Sequence, residues 1–405
     1  MSEIRKRPRI RKRVVLHFSG FEPLDARAHH RRYVRSAMQS GEVWNYDIET
    51  GPLGGNPDAP SFTVEAAGPD WRTKTHVHVF DHNDLITALR AKPVLVRLAT
   101  GYLSAARVVW YGGMFRYFRH AWRFGLFFLF PFMLVALGMA ALLFAASLPV
   151  LLGFSDWNLV WSLPAAGLIF FRLFLPVAEK IHTLHQFDDW TLSIALASLD
   201  DEAVEDRLEK CVAAARLALQ EEADEYLVTS HSMGSSVATH VLGSLLERQP
   251  DILAGKTVVF ATLGGTLLQC ALLRPATVLR RRAGLVAGCD GLFWLDVQCL
   301  TDVISFYRAK MVEVVGFPDL PQARILFTRF KYMLEPDHYR RIKRDFLRVH
   351  RQYVLGPDRR ANYDFSLLTA GPLPAKDFTG FTAENLPPLG ADGSVASDAA
   401  AASAG

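Results

Sequence analysis

The chain has 405 residues, half of them hydrophobic, with 27 Phe, 8 Trp and a formal net charge of +4. Its mean hydropathy of +0.12 is high for a purely soluble enzyme and points to apolar residues that face lipid rather than a core. The four cysteines form no Cys-x-x-Cys pair and no histidine cluster at zinc spacing accompanies them, so a disulfide framework and a zinc finger are excluded in favour of buried free thiols in a reducing compartment.

Residues 1–12 read as a basic tail, with Arg5, Lys6, Arg7, Arg9, Arg11, Lys12 and, just beyond it, Arg13 crowded together. No nucleic-acid module follows, so nucleic acid is not expected as a partner, and such an arm suits anionic lipid headgroups. No apolar run lies directly behind it, so it does not read as a signal peptide. Residues 14–18 form a short apolar run ending at Ser19-Gly20, the pattern of a buried strand and turn. Residues 25–38 predict a helix, 51–60 a Gly/Pro loop and 75–80 an alternating strand. His76 and His78 share one face of that strand. No carboxylate partner is legible beside them, so no metal is assigned.

Residues 124–155 contain no charged side chain, and about 20 apolar residues suffice to span a bilayer. Pro131 and Pro149 interrupt the run but are tolerated in membrane helices. A second apolar run, 157–178, carries only Arg172, near its end. The tight connection between them predicts a helical hairpin with both flanks on one side. Arg107, Arg116, Arg119, His120 and Arg123 precede it, Lys180 and His182 follow it, and the connection offers only Asp156, which places the flanks in the cytoplasm.

Beyond the hairpin, residues 201–222 have helical spacing, 226–229 predict a strand, and a helix runs from about 235 to 248. Residues 256–261, 292–297 and a segment starting at 323 predict further strands, the last reaching to about 333. Strands alternating with helices define an α/β fold with a mostly parallel sheet and helices on both faces. Residues 372–405 are rich in Pro, Gly, Ala, Ser and Asp and are expected to be disordered.

The chemistry concentrates at Thr229-Ser230-His231-Ser232-Met233-Gly234-Ser235, where a strand meets a helix through small residues. This is the nucleophile-elbow pattern Gly-x-Ser-x-Gly, with Ser230 in place of the first glycine. It puts the Ser232 hydroxyl at the carboxyl end of the sheet, where ligands bind in open α/β folds, and aims the Met233 N–H at a developing oxyanion. His231 is expected to point away from the nucleophile and serve packing. Gly264-Gly265 is followed by no Gly-Lys-Ser/Thr, so it reads as tight packing beside the site, and no cofactor is expected.

With these residues the chain resembles the α/β-hydrolase superfamily, especially bacterial esterase- and lipase-like members, over about residues 13–50 and 200–355. Residues 14–21 look like that superfamily's early strand ending in His-Gly, here with Phe18-Ser19 between His17 and Gly20. The resemblance implies a second oxyanion N–H from Ser19 or Gly20. It implies a triad in the chain order Ser, Asp, His, with Ser232 the nucleophile. Asp302, on the turn after the 292–297 strand, is preferred as the acid over Asp296 inside it, with Asp290 a weaker third. His350, in a His-x-x-Tyr setting, is preferred over His338 as the base. It implies a domain split into residues 13–123 and 179–371 around an inserted hairpin, 124–178, in the inner membrane of a bacterium. The expected reaction is hydrolysis of a hydrophobic acyl ester or thioester at the bilayer; a non-catalytic scaffold with the same fold is the alternative.

Overall fold

A computed structural model describes residues 9–389. Eight strands form one sheet: β1 (Lys12–Phe18), β2 (Asp47–Thr50), β3 (Ser61–Gly68), β4 (Trp71–Phe80), β5 (Glu225–His231), β6 (Val258–Leu263), β7 (Leu292–Cys299) and β8 (Arg324–Thr328). Their spatial order is β2-β3-β4-β1-β5-β6-β7-β8. β3 is antiparallel to both neighbours, and every other pairing is parallel. β2 and β3 are absent from the sequence reading. β2 is four residues long at the sheet edge, and β3 alternates through Thr63, Glu65 and small alanines, a weak hydrophobic signal.

The parallel strands β1, β5, β6 and β7 are buried along most of their length, which is why they appear in the sequence as short continuous apolar runs. Alternate residues serve two cores. Val14, Leu16, Phe18, Val228 and Phe260 join the helices Glu202–Ala218, Gly234–Arg248 and Thr277–Ala287 on one face. Val15, Leu227, Val259, Leu295 and Val297 pack on the other face against the helix Ala26–Trp44 and the segment after residue 360. Asp25 caps the first of these helices by accepting the Ala28 N–H. The helix runs on to Trp44, six residues past its expected end, because Trp44 is buried and its indole N–H donates to Asp364 at 3.0 Å.

Two helices, Trp122–Leu151 and Asp156–Glu179, are long and apolar enough to cross a membrane. Only 22% and 17% of their most apolar windows are buried. A soluble core helix would bury that stripe; here Leu126, Leu137, Phe144, Trp157, Trp161 and Leu173 are exposed. The second helix widens to a π turn at Phe170–Phe174, where Pro176 lacks the N–H that would bond the Arg172 carbonyl. The base of the hairpin is firmly docked. The Phe124 ring packs at a tilt against Phe306 with ring centroids 4.2 Å apart, and Arg123 donates to the Leu300 carbonyl at 2.6 Å.

Both expected tails are corrected in part. Residues 1–8 and 390–405 lie outside the described residues. Residues 9–12, however, are in place, with Ile10 buried and β1 starting at Lys12. Arg13 is no part of a solvated arm: its side chain is fully buried against Glu225 at 2.7 Å. Residues 372–389, expected to be disordered, are packed, with Leu373, Ala375, Phe378, Phe381 and Leu389 buried. These apolar residues are too irregularly spaced to show a period, yet each buried Phe contributes about 1.5–3 kcal/mol. The expected final strand stops at Thr328, and Phe330–Met333 is a short helix.

Candidate active site

The ends of β1, β5, β6 and β7 lie along one edge of the sheet, and Ser19-Gly20, Ser232, Gly264 and Asp302 follow them. Ser232 has φ +54°, a left-handed conformation that a serine adopts only at a cost, as a strained strand-to-helix turn requires. The turn is held by the Ser232 N–H donating to the Leu263 carbonyl (3.3 Å) and its carbonyl accepting from Thr266 (3.1 Å). Gly234 lets the following helix start against the end of β1. A Cβ there would lie 2.4 Å from the Ser19 carbonyl oxygen and 2.5 Å from that of Phe18. Ser230, where the pattern has glycine, fits fully buried inside β5.

His350 ends the short helix Phe346–His350. Its Nδ1 donates to Asp302 Oδ2 at 2.9 Å, and Asp302 Oδ1 accepts the Ile304 N–H at 3.0 Å. The carboxylate is therefore held at both oxygens. His350 Nε2 is buried and has no hydrogen-bond partner. With Nδ1 protonated, Nε2 carries the lone pair, and it shares with Ser232 a narrow cleft lined by Phe21, Asp189, Gln269 and Ile304. Asp302 holds His350, 48 residues further along the chain, and His350 shares the cleft with Ser232, 118 residues before it.

The alternatives go elsewhere. Asp296 points into the sheet, accepting from Thr262 Oγ1 (2.7 Å) and Gln298 Nε2 (2.5 Å), and burial raises its carboxyl to about 6. His338 pairs with Asp358 at 2.7 Å on a partly exposed surface and does not line the cleft. Of the oxyanion candidates, the Ser19 N–H is already donated to the Phe80 carbonyl at 3.1 Å, because β1 continues its pairing with β4 by one residue. The N–H groups of Gly20 and Met233 are not so engaged, and neither is that of Phe21, which the sequence reading missed. His231 donates through Nε2 to the His350 carbonyl at 3.0 Å, so it does pack and hydrogen-bond as expected. Its ring also packs at a tilt against the His350 ring, centroids 4.7 Å apart, so it supports that ring rather than turning from the site. Burial lowers its pKa to about 3 and keeps it neutral. Gly264, at φ +55°, lies under the Tyr353 ring, where a Cβ would come within 2.3 Å.

Three further groups shape the cleft, and no sequence pattern announces them. Glu22 binds Arg32 at 2.7 Å and Arg351 at 2.8 Å, tying the loop after Gly20 to the residue after His350. Desolvation alone would raise its carboxyl; the two guanidiniums overcome this and hold it well below the usual range. Asp189, on the helix Thr183–Ser198, accepts from Gln269 Nε2 at 2.7 Å, and burial raises its carboxyl to about 7. Phe127, from the base of the first apolar helix, lines both this cleft and a larger apolar cavity of about 520 Å³. Trp122, Leu126, Phe130, Val303 and Phe346 line that cavity, and Arg123, Lys180 and Arg344 add positive charge. The four cysteines are free, and Cys289 alone of them is not fully buried.

Comparison with known proteins finds no match for this chain, whether to a family model, to a curated protein or to a solved structure.

Proposed function

We propose that the chain is a membrane-anchored serine hydrolase of the α/β-hydrolase type that cleaves esters or thioesters of lipid-like acyl groups. The observation that carries this reading is His350, whose Nδ1 is bound to Asp302 while its buried Nε2 is left free in the cleft that holds the strained Ser232. Three features together support the superfamily. One strand alone runs against the sheet, the elbow follows β5, and the strand beside it, β1, supplies the loop of Gly20 and Phe21. In this superfamily's reaction Ser232 Oγ attacks the acyl carbonyl as His350 Nε2 takes its proton. The N–H of Met233 and that of Gly20 or Phe21 receive the oxyanion. The imidazolium then protonates the leaving alcohol or thiol, and a water, deprotonated by the same Nε2, releases the acid from the acyl-enzyme.

The membrane part of the reading rests on the two exposed apolar helices, with both flanks in the cytoplasm by the distribution of Arg and Lys. The apolar cavity between the hairpin base and the Asp302 loop supports a hydrophobic acyl chain as the substrate's tail, and its cationic rim suits an anionic head. A second reading, a non-catalytic membrane-bound scaffold, is favoured by one observation: the cleft at Ser232 measures only about 30 Å³, room for about one water. The hydrolase reading requires Phe127, which lines both, to move aside and join the cleft to the larger cavity. Fluorophosphonate labelling of detergent-solubilised protein decides between them. Wild type and His338→Ala are expected to label, and Ser232→Ala not at all. Absence of labelling in folded wild type establishes the scaffold.

Asp189 gives the reading a pH signature. Its carboxyl, raised to about 7 by burial, is neutral below that pH and negative above it, in the cleft that Ser232 also lines, where added negative charge opposes a developing oxyanion. The ratio of kcat/KM for Asp189→Asn to that of wild type should be constant below pH 6 and rise above pH 7. A ratio that stays flat from pH 5.5 to 8.5 removes Asp189 from the chemistry.

A further inference from the structure

His76 and His78 project from the same face of β4, and the carboxylate missing from their neighbourhood in the sequence is supplied from 143 residues away. Glu221 stands in the turn between the helix Glu202–Ala218 and β5. Its Oε2 lies 2.6 Å from His76 Nδ1 and its Oε1 2.7 Å from His78 Nε2. The two rings are 4.3 Å apart. The donor atoms of the three side chains all fall within 4.8 Å of one another, the one such group of three or more among the described residues. None of the three lines the cleft of Ser232.

We propose that His76, His78 and Glu221 form a binding site for a divalent transition metal of the zinc class. Two imidazole nitrogens and one carboxylate are donors that zinc accepts, at about 2.0–2.2 Å each. Around a tetrahedral ion of that radius the donors stand about 3.3–3.5 Å apart, so the pairs now at 2.6 and 2.7 Å must open by under about 1 Å and pairs as far apart as 4.8 Å must close by up to about 1.5 Å. To bind the ion, His76 Nδ1 and His78 Nε2 must present lone pairs: in a neutral ring the proton moves through solvent to the other ring nitrogen with no net release, and only an imidazolium gives up one proton. With three protein donors the fourth position is left to water. The side chains are 33%, 11% and 33% exposed for His76, His78 and Glu221, so an ion has a path from solvent.

The frame is held in place without the ion. β4 is paired on both sides, by β1 and β3. The turn carrying Glu221 is tied down by Tyr226, whose hydroxyl donates to the Glu221 carbonyl, and by Asp224, which accepts the N–H groups of Arg11 and Lys12 at 2.8 Å each. Burial acts to raise the Glu221 carboxyl, and the two histidines more than offset it, leaving it at about 2 and ionised at every physiological pH. A bound ion would clamp the turn that leads into β5, the strand that Ser232 follows.

The test uses full-length, tag-free protein in detergent, stripped with a chelator. Titration with Co2+ should produce the visible ligand-field bands of a tetrahedral N/O site, and calorimetry with Zn2+ should give one equivalent bound. Glu221→Gln and His78→Asn should each weaken zinc by about 100-fold or more, since loss of even an outer-shell partner costs about 10–100-fold. Zinc should raise the melting temperature of wild type and of Ser232→Ala alike, and leave Glu221→Gln unmoved. Failure of wild type to bind, or binding that survives unchanged in both variants, overturns the site. An ion held instead by the cysteines would show the intense charge-transfer bands of thiolate ligation and survive in Glu221→Gln, and that too overturns it.

Discussion

Hydrolysis of a short-chain p-nitrophenyl ester should fall by about a millionfold in Ser232→Ala and in His350→Ala, and by about ten-thousandfold in Asp302→Asn. On the proposed mechanism the three residues act as one unit, so the Ser232→Ala/His350→Ala double variant should be no worse than either single one. The asymmetry has a structural cause. In the proposed mechanism Ser232 forms the bond and His350 Nε2 carries the proton, whereas Asp302 acts through His350. It fixes the tautomer by accepting from Nδ1 at 2.9 Å and is itself fixed by the Ile304 N–H. In Asp302→Asn the amide can present its NH2 group to Nδ1. The ring then protonates on Nε2 and loses the lone pair that the serine proton needs. His338→Ala should keep wild-type turnover, because His338 is engaged with Asp358 away from the cleft. Activity that survives in His350→Ala and disappears in His338→Ala would sink the assignment of the base.

Replacing Arg13 by Ala should destabilise the fold by about 3–5 kcal/mol, the cost of leaving one partner of a buried ion pair uncompensated. Arg13 and Glu225 are both fully buried, 2.7 Å apart. Arg13 also donates to the carbonyls of Gly371 (2.8 Å) and Leu373 (2.7 Å), and Glu225 accepts the Ala375 N–H at 2.9 Å. The pair therefore staples the segment after residue 370 to the starts of β1 and β5. Arg13→Ala should lower the melting temperature and expose residues 371–389 to limited proteolysis. Arg13→Lys keeps the charge and loses the two-armed contact with the carbonyls, so it should fall between Arg13→Ala and wild type. A melting temperature for Arg13→Ala within a degree of wild type, with the segment still protected, would show that the staple contributes nothing.

The parts of this protein that its sequence determines by itself are those set by short-range physics. The turn from β5 into the next helix needs small residues within five positions, so Ser232 and Gly234 could be read directly. The two apolar helices were legible because each is a run of about 20 or more largely apolar residues, and among the described residues no other helix is long and apolar enough to cross a membrane. The buried parallel strands were legible as apolar runs for a related reason. Asp302 and His350 were preferred over Asp296 and His338 on chain order and local setting, and the structure brings that pair together.

Only the tertiary structure could decide what depends on residues far apart in the chain. Arg13 looks in sequence like one more charge in a basic arm, and it is buried because Glu225, 212 positions on, neutralises it. The C-terminal segment reads as disordered because its composition is averaged over many polar residues, while its stability comes from a few aromatics and one distant guanidinium. His76 and His78 lacked a carboxylate until the fold brought Glu221 to them. Ser19 lost its place as an oxyanion donor to a hydrogen bond with Phe80 that exists only because β4 lies beside β1. Asp189 and Glu22 reach the cleft from elements with no motif at all. In each case the deciding energy is a long-range charge, hydrogen bond or contact, and periodicity along the chain carries no trace of it.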